Sequence, residues 1–236
     1  MLLTALIVGA YFIGAIPFGY LVAKVKGVDI LSAGSGNIGA TNVIRVLGKR
    51  LGMLVFVLDV LKGFLPAIAA YLLLGHSQVD AFAVGMGAVA GHCLSPFLRF
   101  KGGKGVATGL GVLFGASPMV ALCALGIFIL VLGFSRYVSL SSILAAIALV
   151  PLGFLFHIHT VLLWAFGALT VFVVYRHRAN LGRLRGGTEP KFLAKSPNQE
   201  DRPESAPKPG VSLLTSVLFA VVGSGMVVGA LSTLLR

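Results

Sequence analysis

Three short polar stretches interrupt an otherwise apolar chain, and their residue types suit the binding of a phosphate-sized anion. They are Gly34 to Asn42 (GSGNIGATN), Lys101 to Thr108 (KGGKGVAT) and Tyr175 to Glu189 (YRHRANLGRLRGGTE). Each combines glycines, whose backbone amides can approach a ligand closely, with hydrogen-bonding side chains or fixed positive charge. Each also lies at the edge of an apolar run of membrane-spanning length. The pattern predicts a site for a phosphorylated molecule at a membrane face.

The first stretch interleaves polar side chains with small residues, so that hydroxyls, amides and backbone N–H groups can all reach one ligand. If a helix starts here, Arg45 shares a face with Thr41 and Asn42, because it follows them by four and three residues. An arginine suited to bidentate phosphate contact favours a ligand site over the alternative, a plain polar turn between two helices. The candidate site residues are Gly34, Ser35, Asn37, Thr41, Asn42 and Arg45.

The second stretch precedes a helix that we predict to begin near Val106. Amides of this turn, the positive end of the helix and the ammonium of Lys104 can converge on a phosphate. The GxxxxGK[ST] spacing is absent and no Asp or Glu neighbours the stretch to hold Mg²⁺, which argues against a nucleotide triphosphatase. A basic loop that only orients the chain in a membrane is the alternative. The candidate site residues are Gly102, Gly103, Lys104, Gly105 and Thr108.

The third stretch begins where an apolar run ends, and it places His177 and Asn180 three residues apart, on one helical face. His177 either transfers a proton or serves only as a hydrogen-bonding partner. Arginines surround this pair, and several of them have the alternative roles of orienting the chain and contacting anionic lipids. These arginines are Arg176, Arg178, Arg183 and Arg185. Glu189 is expected to pair with an arginine and to brace the loop.

Two further sets of polar residues lie within the apolar runs. Asp59 and Lys62, at i and i+3, are interpreted as a structural ion pair, although intramembrane charges are also candidates for function. Ser142 opens a predicted helix together with Ser139 and Ser141, and these hydroxyls either line the site or cap the helix.

The composition places the chain in a lipid bilayer. Of 236 residues, 57% are hydrophobic and 11% are charged. With a mean hydropathy of +0.99, the chain has more apolar surface than a soluble globular protein can bury in its core. The net charge is +12, and the basic residues that produce it lie beside the apolar runs. This placement favours a membrane protein over a nucleic-acid-binding one. Cys93 and Cys123 lack paired spacing or a nearby ligand set, so we expect reduced packing residues and no metal site. The predicted spans are 2–23, 51–74, 81–98, 106–116, 119–134, 138–156 and 160–174.

A break near Ser117-Pro118 decides the predicted topology, because proline disrupts a helix. With that break, all of the 19 Lys and Arg residues except Lys62 and Arg236 lie on one face, as the positive-inside rule requires. We therefore predict an all-α, polytopic integral membrane protein with a seven-helix core, its amino terminus outside and all three polar stretches in the cytoplasm. The first span lacks a basic n-region and a cleavage site, so we expect it to remain as a transmembrane helix. The predicted parts are a core at 1–189, a Pro-rich charged cytoplasmic linker at 190–210 and an additional C-terminal transmembrane helix at 211–236.

Taken together, three segments closely resemble the sequence blocks of the bacterial membrane glycerol-3-phosphate acyltransferases that use acyl-phosphate, the PlsY family. The segments are GSGNIGATNVIRVLG, GHCLSPFLRFKGGKGVATGLG and YRHRANLGRLRGGTE, and their order and spacing fit as well. The resemblance covers roughly Met1 to Ser196. The chain departs from the family pattern at Ile38, where proline is common, and in the tail after Pro197.

The resemblance implies transfer of a fatty acyl group from acyl-phosphate to the 1-hydroxyl of sn-glycerol 3-phosphate, giving lysophosphatidic acid and inorganic phosphate at the cell inner membrane. It implies no metal, no cofactor and no acyl-CoA or acyl carrier protein, and a peripheral acyl-phosphate synthase as the supplier of the donor. By motif position, Gly102, Gly103 and Gly105 would shape a phosphate site, and Glu189 would support the fold. The critical polar residues carried over in the same way are Ser35, Arg45, Lys104, His177 and Asn180.

The residues themselves suit this chemistry. Acyl-phosphate is a mixed anhydride with a good leaving group, so an enzyme mainly needs to orient a hydroxyl and stabilise negative charge. The HxxxxD pair of other glycerolipid acyltransferases is absent after every histidine, and we expect direct transfer without an acyl-enzyme. A membrane transporter of phosphate or of a phosphorylated metabolite is the alternative. A Mg²⁺-dependent lipid phosphotransferase would require clustered aspartates that the sequence lacks.

Overall fold

The computed structural model describes residues 1–193, which form helices joined by turns. The all-helical class that the sequence predicts is confirmed. Within residues 1–193, five helical segments are long and apolar enough to cross a membrane, and a bent pair of helices makes a sixth if it is counted as one span. Most of the predicted linker and all of the predicted last helix lie outside the described residues.

The first span consists of two helices, α1 (Leu2–Ala15) and α2 (Phe18–Val25), where the sequence predicts one. Pro17 lacks a backbone N–H and therefore interrupts the helical ladder. The interruption leaves two carbonyls for other spans. Ala15 O accepts from Ser95 Oγ at 2.6 Å, and Ile16 O accepts from Lys62 Nζ at 2.9 Å.

The next helices carry the first and second polar stretches. The first stretch leads into α3 (Ala40–Leu47), and Gly48, with φ 95°, separates α3 from α4 (Lys49–Leu73). Then follow α5 (Gln78–Cys93) and a short 3₁₀ helix (Pro96–Leu98), which lead into the second stretch. The helix that the sequence predicts near Val106 is confirmed as α6 (Val106–Ala116).

The break near Ser117 is also confirmed, because α6 ends at Ala116 and α7 (Pro118–Ser135) begins with proline. The remaining helices are α8 (Val138–Ile147), α9 (Leu149–Leu155), α10 (Thr160–Arg176) and α11 (Arg178–Arg185). The axes of α10 and α11 differ by 58°. That bend turns the third polar stretch away from the direction of its span.

Close packing of α4 against α6 positions the start of α6. A Cβ atom at Gly63 would lie 2.1 Å from Thr108 O, and one at Gly111 would lie 2.0 Å from Val60 O. The two helix backbones can approach this closely only because these residues are glycines, which is the usual device of membrane helix pairs.

A buried ion pair joins the first three spans. Lys62 Nζ lies 2.7 Å from Asp59 Oδ1, and His92 Nδ1 lies 3.7 Å from the same oxygen. All three residues are buried, and Lys62 also donates to Ile16 O. The structural interpretation of Asp59 and Lys62 fits this geometry, because the pair stabilises the break in the first span beside the end of α5.

Candidate active site

The second and third polar stretches meet in one hydrogen-bonded network. Lys104 Nζ donates to Asn180 Oδ1 at 2.6 Å, and Asn180 Nδ2 donates to Glu189 Oε1 at 2.6 Å. Glu189 also accepts from Ser139 Oγ at 2.7 Å and from Arg183 Nε at 2.7 Å. The expected pairing of Glu189 with an arginine is therefore present, and the partner is Arg183.

The loop of residues 101–105, which we call the glycine loop, lies on the carboxyl end of α5. Gly102 N donates to Cys93 O and Gly103 N donates to His92 O, both at 3.1 Å. A Cβ atom at Gly103 would lie 2.1 Å from His92 Nε2, so only glycine fits there. The amides of Gly102 and Gly103 are thus used within the chain, and these residues shape the loop without offering their N–H groups to a ligand.

The start of α6 supplies the free donors. Gly105 has φ 83° and caps this helix. Within residues 1–193, the backbone N–H groups from Lys104 to Thr108 have no hydrogen-bond acceptor, as expected at a helix amino terminus. Thr108 Oγ1 is buried and also lacks a partner in this part of the chain. Together with Lys104, these groups form a receptor suited to a phosphate oxyanion.

Arg45, from the first polar stretch, lies close enough to Glu189, Arg183 and Lys104 for their charges to interact. Its pKa lies below the ordinary value because of burial, while Glu189 opposes that change and Arg183 adds to it. Burial lowers the pKa of Lys104 to about 8; Glu189 raises it, and the charges of Arg183, Arg176 and Arg45 lower it further. The cations Arg45, Lys104 and Arg183 therefore all interact with the carboxylate of Glu189.

The carboxylate of Glu189 is ionised at neutral pH. Partial burial acts to raise its pKa, but the hydrogen bonds from Asn180, Ser139 and Arg183 outweigh burial and lower the pKa below the ordinary value.

The side-chain amide of Asn42 holds the first polar stretch together through hydrogen bonds to its backbone. It is buried, its Oδ1 accepts from Ser35 N at 2.8 Å, and its Nδ2 donates to Ala33 O at 3.0 Å and to Asn37 O at 2.9 Å. Both polar atoms of the Asn42 amide are therefore occupied, which differs from the expected ligand contact. Ser35 itself is exposed, so its hydroxyl is free to face a ligand.

Several other candidates of the first stretch serve the local backbone or remain accessible. Asn37 Oδ1 accepts from Gly39 N at 2.8 Å, directly before α3. Gly34 has φ 61°, and a Cβ there would lie 2.3 Å from Asn42 Oδ1, so this turn requires glycine. Thr41 and Arg45 lie one helical turn apart on α3, as the sequence predicts.

His177 lies between α10 and α11 and is buried, as is Asn180. His177 Nδ1 lies 2.8 Å from Val173 O. Because a carbonyl oxygen can only accept, Nδ1 carries the hydrogen and Nε2 is the nitrogen left for a substrate.

The serines at the start of α8 have divided roles. Ser141 Oγ and Ser142 Oγ donate to the backbone carbonyls of Tyr137 and Val138, each at 2.8 Å, whereas Ser139 donates to Glu189. Ser142 nevertheless lines an apolar groove that runs along α6 and α8.

An apolar groove leads away from the glycine loop. It begins beside Gly105 and Ser142, follows α6 to Leu113, and runs along α8 to Leu149, the first residue of α9. It encloses about 650 Å³, including the part open to its surroundings. Its walls are almost entirely apolar, and its length along α6, eight residues at 1.5 Å each, is about 12 Å. A hydrocarbon chain fits such a space.

Sequence reasoning did not single out His92 or the specific contacts of Arg176. Arg176 Nη2 donates to Gly102 O at 3.1 Å and also to Gly103 O. The sequence offered one indication of each, since His92 precedes the glycine loop in GHCLSPFLRFKGGKG and Arg176 adjoins His177. Neither position has a local pattern that predicts the contact.

Comparison with known proteins gives a consistent result. The family model described as Glycerol-3-phosphate acyltransferase matches residues 4–187. A glycerol-3-phosphate acyltransferase of Geotalea daltonii is 50% identical over 188 residues, which cover 79% of this chain and 96% of that protein. The corresponding protein of Aquifex aeolicus is 45% identical over 187 residues, covering 79% and 97%.

A solved structure shares the fold. The glycerol 3-phosphate form of PlsY (YgiH), an integral membrane glycerol 3-phosphate acyltransferase, superimposes with a TM-score of 0.78 at 44% identity, covering 81% of this chain and 96% of that one. Its lysophosphatidic acid form gives a TM-score of 0.75 at 43% identity. The chain is therefore a multi-pass membrane protein and an acyltransferase of phospholipid biosynthesis, and it belongs to the glycerol-3-phosphate acyltransferase (PlsY) family.

Proposed function

We propose that this enzyme transfers a fatty acyl group from acyl-phosphate to the 1-hydroxyl of sn-glycerol 3-phosphate, giving lysophosphatidic acid and inorganic phosphate. The observation that carries the proposal is the junction of an oxyanion receptor with an apolar groove at Gly105. Acyl-phosphate has two parts that match these two parts of the site, a phosphate group and a hydrocarbon chain. The solved forms of PlsY with glycerol 3-phosphate and with lysophosphatidic acid support the acceptor and the product.

The proposed step is direct. The acceptor oxygen attacks the acyl carbonyl carbon, the bond from that carbon to the phosphate oxygen breaks, and phosphate leaves with the electron pair. A substrate phosphate or His177 Nε2 takes the hydroxyl proton. In this proposal Lys104 and Arg45 hold the two phosphates, and Ser35 positions the acceptor. Catalysis then depends on orientation and charge stabilisation, without an acyl-enzyme.

Asn180 contributes to this arrangement through Lys104. Its carbonyl oxygen accepts from the Lys104 ammonium and its NH₂ group donates to Glu189. Because both ends of the amide are engaged, we assign Asn180 first to positioning Lys104, and contact with the acceptor is secondary.

The proposed topology has seven core helices in residues 1–189, with the amino terminus outside and the site facing the cytoplasm at the cell inner membrane. The short α6 would not cross the bilayer, since its 11 residues span only about 17 Å. Cations at the end of α2 and at the start of α4, Lys24, Lys49 and Arg50, lie on the same side as the site in this topology. A peripheral acyl-phosphate synthase would supply the donor from that side.

The full-length protein in detergent, given palmitoyl phosphate and radiolabelled glycerol 3-phosphate, tests the proposed reaction. We expect 1-acyl lysophosphatidic acid and inorganic phosphate in equal amounts, and no product when palmitoyl-CoA replaces palmitoyl phosphate. Turnover without a sealed compartment also separates this enzyme from a transporter. A reaction that requires acyl-CoA, or a trapped acyl-enzyme, would contradict the proposal.

Filling the groove tests its occupation by the acyl chain. A Cβ at Gly109, in the groove wall, meets no atom within 4 Å, so Gly109→Leu adds a side chain without a backbone clash. We expect kcat/KM for palmitoyl phosphate relative to butyryl phosphate to fall about 10-fold, since displacing two methylenes from an apolar site costs about 1.6 kcal/mol. The ratio of the two donor rates is the measurement.

Gly126 on α7 provides the matched control, because a Cβ there also meets no atom within 4 Å and the residue does not line the groove. Gly126→Leu should leave the ratio unchanged. If both variants changed the donor ratio equally, the groove would not hold the acyl chain.

A further inference from the structure

We infer that Arg176 is a positioning residue that fixes the direction of the free amide at Lys104. This inference rests on the proposed site. The guanidinium of Arg176, at the end of α10, donates through Nη2 to the carbonyl oxygens of both Gly102 and Gly103. These contacts link the third polar stretch to the second across more than 70 residues of sequence.

The glycine loop is held from two opposite sides. Gly102 O and Gly103 N belong to one peptide unit; Arg176 binds its oxygen and His92 O binds its N–H at 3.1 Å. The plane of that peptide is therefore fixed at both ends, because a peptide unit is rigid. The ring of His92 lies against Gly103 and leaves no space for the loop to move toward α5.

The next peptide unit joins Gly103 O to the N–H of Lys104. Arg176 holds the carbonyl end, and in a trans peptide the N–H points to the opposite side. The N–H of Lys104 must then point away from Arg176, and it is the first of the free donors at the start of α6. Arg176 thus determines where the oxyanion receptor begins, without touching the ligand itself.

The neighbouring Arg178 shows that this role does not follow from charge alone. Arg178 is exposed, donates to Tyr175 O at 3.3 Å, and stacks on the Tyr175 ring at 4.5 Å. Its contacts stay within its own helix end, whereas Arg176 reaches another stretch. Both residues contribute equally to the positive charge that orients the chain in the membrane.

The test compares Arg176→Ala with Arg178→Ala in the full-length enzyme, using palmitoyl phosphate and glycerol 3-phosphate. One of the two substrates places its phosphate on the α6 amides, and Arg176→Ala should raise KM for that substrate about 10- to 100-fold. KM for the other should change less than 2-fold, and added methylguanidinium should restore part of the activity. Arg178→Ala should match the parent and show no response to methylguanidinium.

Three results would overturn the inference. One is equal kinetics of the two alanine variants, and another is a fall in kcat with both KM values unchanged and a lowered Tm, which indicates general destabilisation. If Arg176→Ala does not accumulate, Arg176→Lys replaces it, and we expect its KM to lie between those of the parent and the predicted alanine variant. The third contradicting result would be a KM of Arg176→Lys equal to that of Arg178→Lys.

Lys104→Ala in the same assay separates this inference from the proposed site. Full activity of Lys104→Ala would overturn the proposed charge stabilisation by the ammonium, whereas the inference concerns the backbone N–H that alanine keeps and is decided by Arg176→Ala. Loss of activity in Lys104→Ala together with parental kinetics in Arg176→Ala would overturn the role of Arg176 alone.

Discussion

Replacing Lys104 with alanine is expected to lower kcat/KM for acyl transfer by about 10²- to 10³-fold, the loss typical when one preorganised charge-stabilising donor is removed. The ammonium of Lys104 is fixed by Asn180 Oδ1 at 2.6 Å and stands beside the unpaired amides of α6. No other cation described in the structure shares both contacts. Steady-state kinetics of the purified variant, with radiolabelled glycerol 3-phosphate, measures the loss.

The pH profile of the parent enzyme shows whether activity depends on the charge of the Lys104 side chain or only on the space that it fills. Burial lowers the pKa of Lys104 to about 8, so the ammonium is charged below that pH and becomes neutral above it. We expect log kcat/KM, which reports ionisations of the free enzyme, to be level near pH 7 and to fall as the pH rises through 8. Lys104→Arg keeps the charge throughout this range, and the alkaline fall should disappear in that variant.

Two outcomes would contradict this assignment. One is a Lys104→Ala variant that keeps most of its activity. The other is an alkaline fall in kcat/KM that remains at the same pH in Lys104→Arg, because the titrating group would then lie elsewhere.

Local rules in the sequence were sufficient to predict much of the fold. Proline at position 118 ends one ladder and begins the next helix, and α6 and α7 divide there. Spacing of i and i+4 placed Thr41 and Arg45 on one face of α3, which forms as expected. These rules act over a few residues, so they can be read without knowledge of the tertiary structure.

The same local rules missed the division of the first span, although its cause is also a proline. Pro17 lies inside a long apolar run, and such interruptions persist in membrane helices when neighbouring groups bind the freed carbonyls. Lys62 and Ser95 provide those groups, from 46 and 80 residues away. Only tertiary packing brings them to the break.

The detailed roles within the site depend on tertiary contacts in the same way. An asparagine in a polar stretch can bind a ligand or the backbone, and its residue type does not distinguish these uses. Asn42 binds the turn around Ser35, and Asn180 joins Lys104 to Glu189. The sequence predicts that the three polar stretches share one site, but it does not predict the order of contacts that joins the second stretch to the third.

Glu189→Ala is expected to lower kcat/KM about 100-fold, although Glu189 touches no substrate in the proposed reaction. The carboxylate holds Ser139, Asn180 and Arg183 together, and Asn180 in turn holds Lys104. Without it, Asn180 loses one of its two partners and Lys104 loses its orientation. Hydrogen bonds to a charged group each contribute about 1.5–3 kcal/mol, so the loss of one such support accounts for the expected effect. Parallel measurements of kcat/KM and Tm record it.

The pH profile of Glu189→Gln distinguishes this electrostatic role from a purely structural one. Glu189 raises the pKa of Lys104, whereas Arg183 lowers it. Neutralising Glu189 should therefore move the alkaline fall in kcat/KM to a pH below that of the parent, and Arg183→Gln should move it to a higher pH. Opposite shifts from two partners of one ion pair cannot arise from loosened packing, which would alter the amplitude of both profiles in the same direction. Unshifted profiles in both variants would show that the network does not control the charge on Lys104.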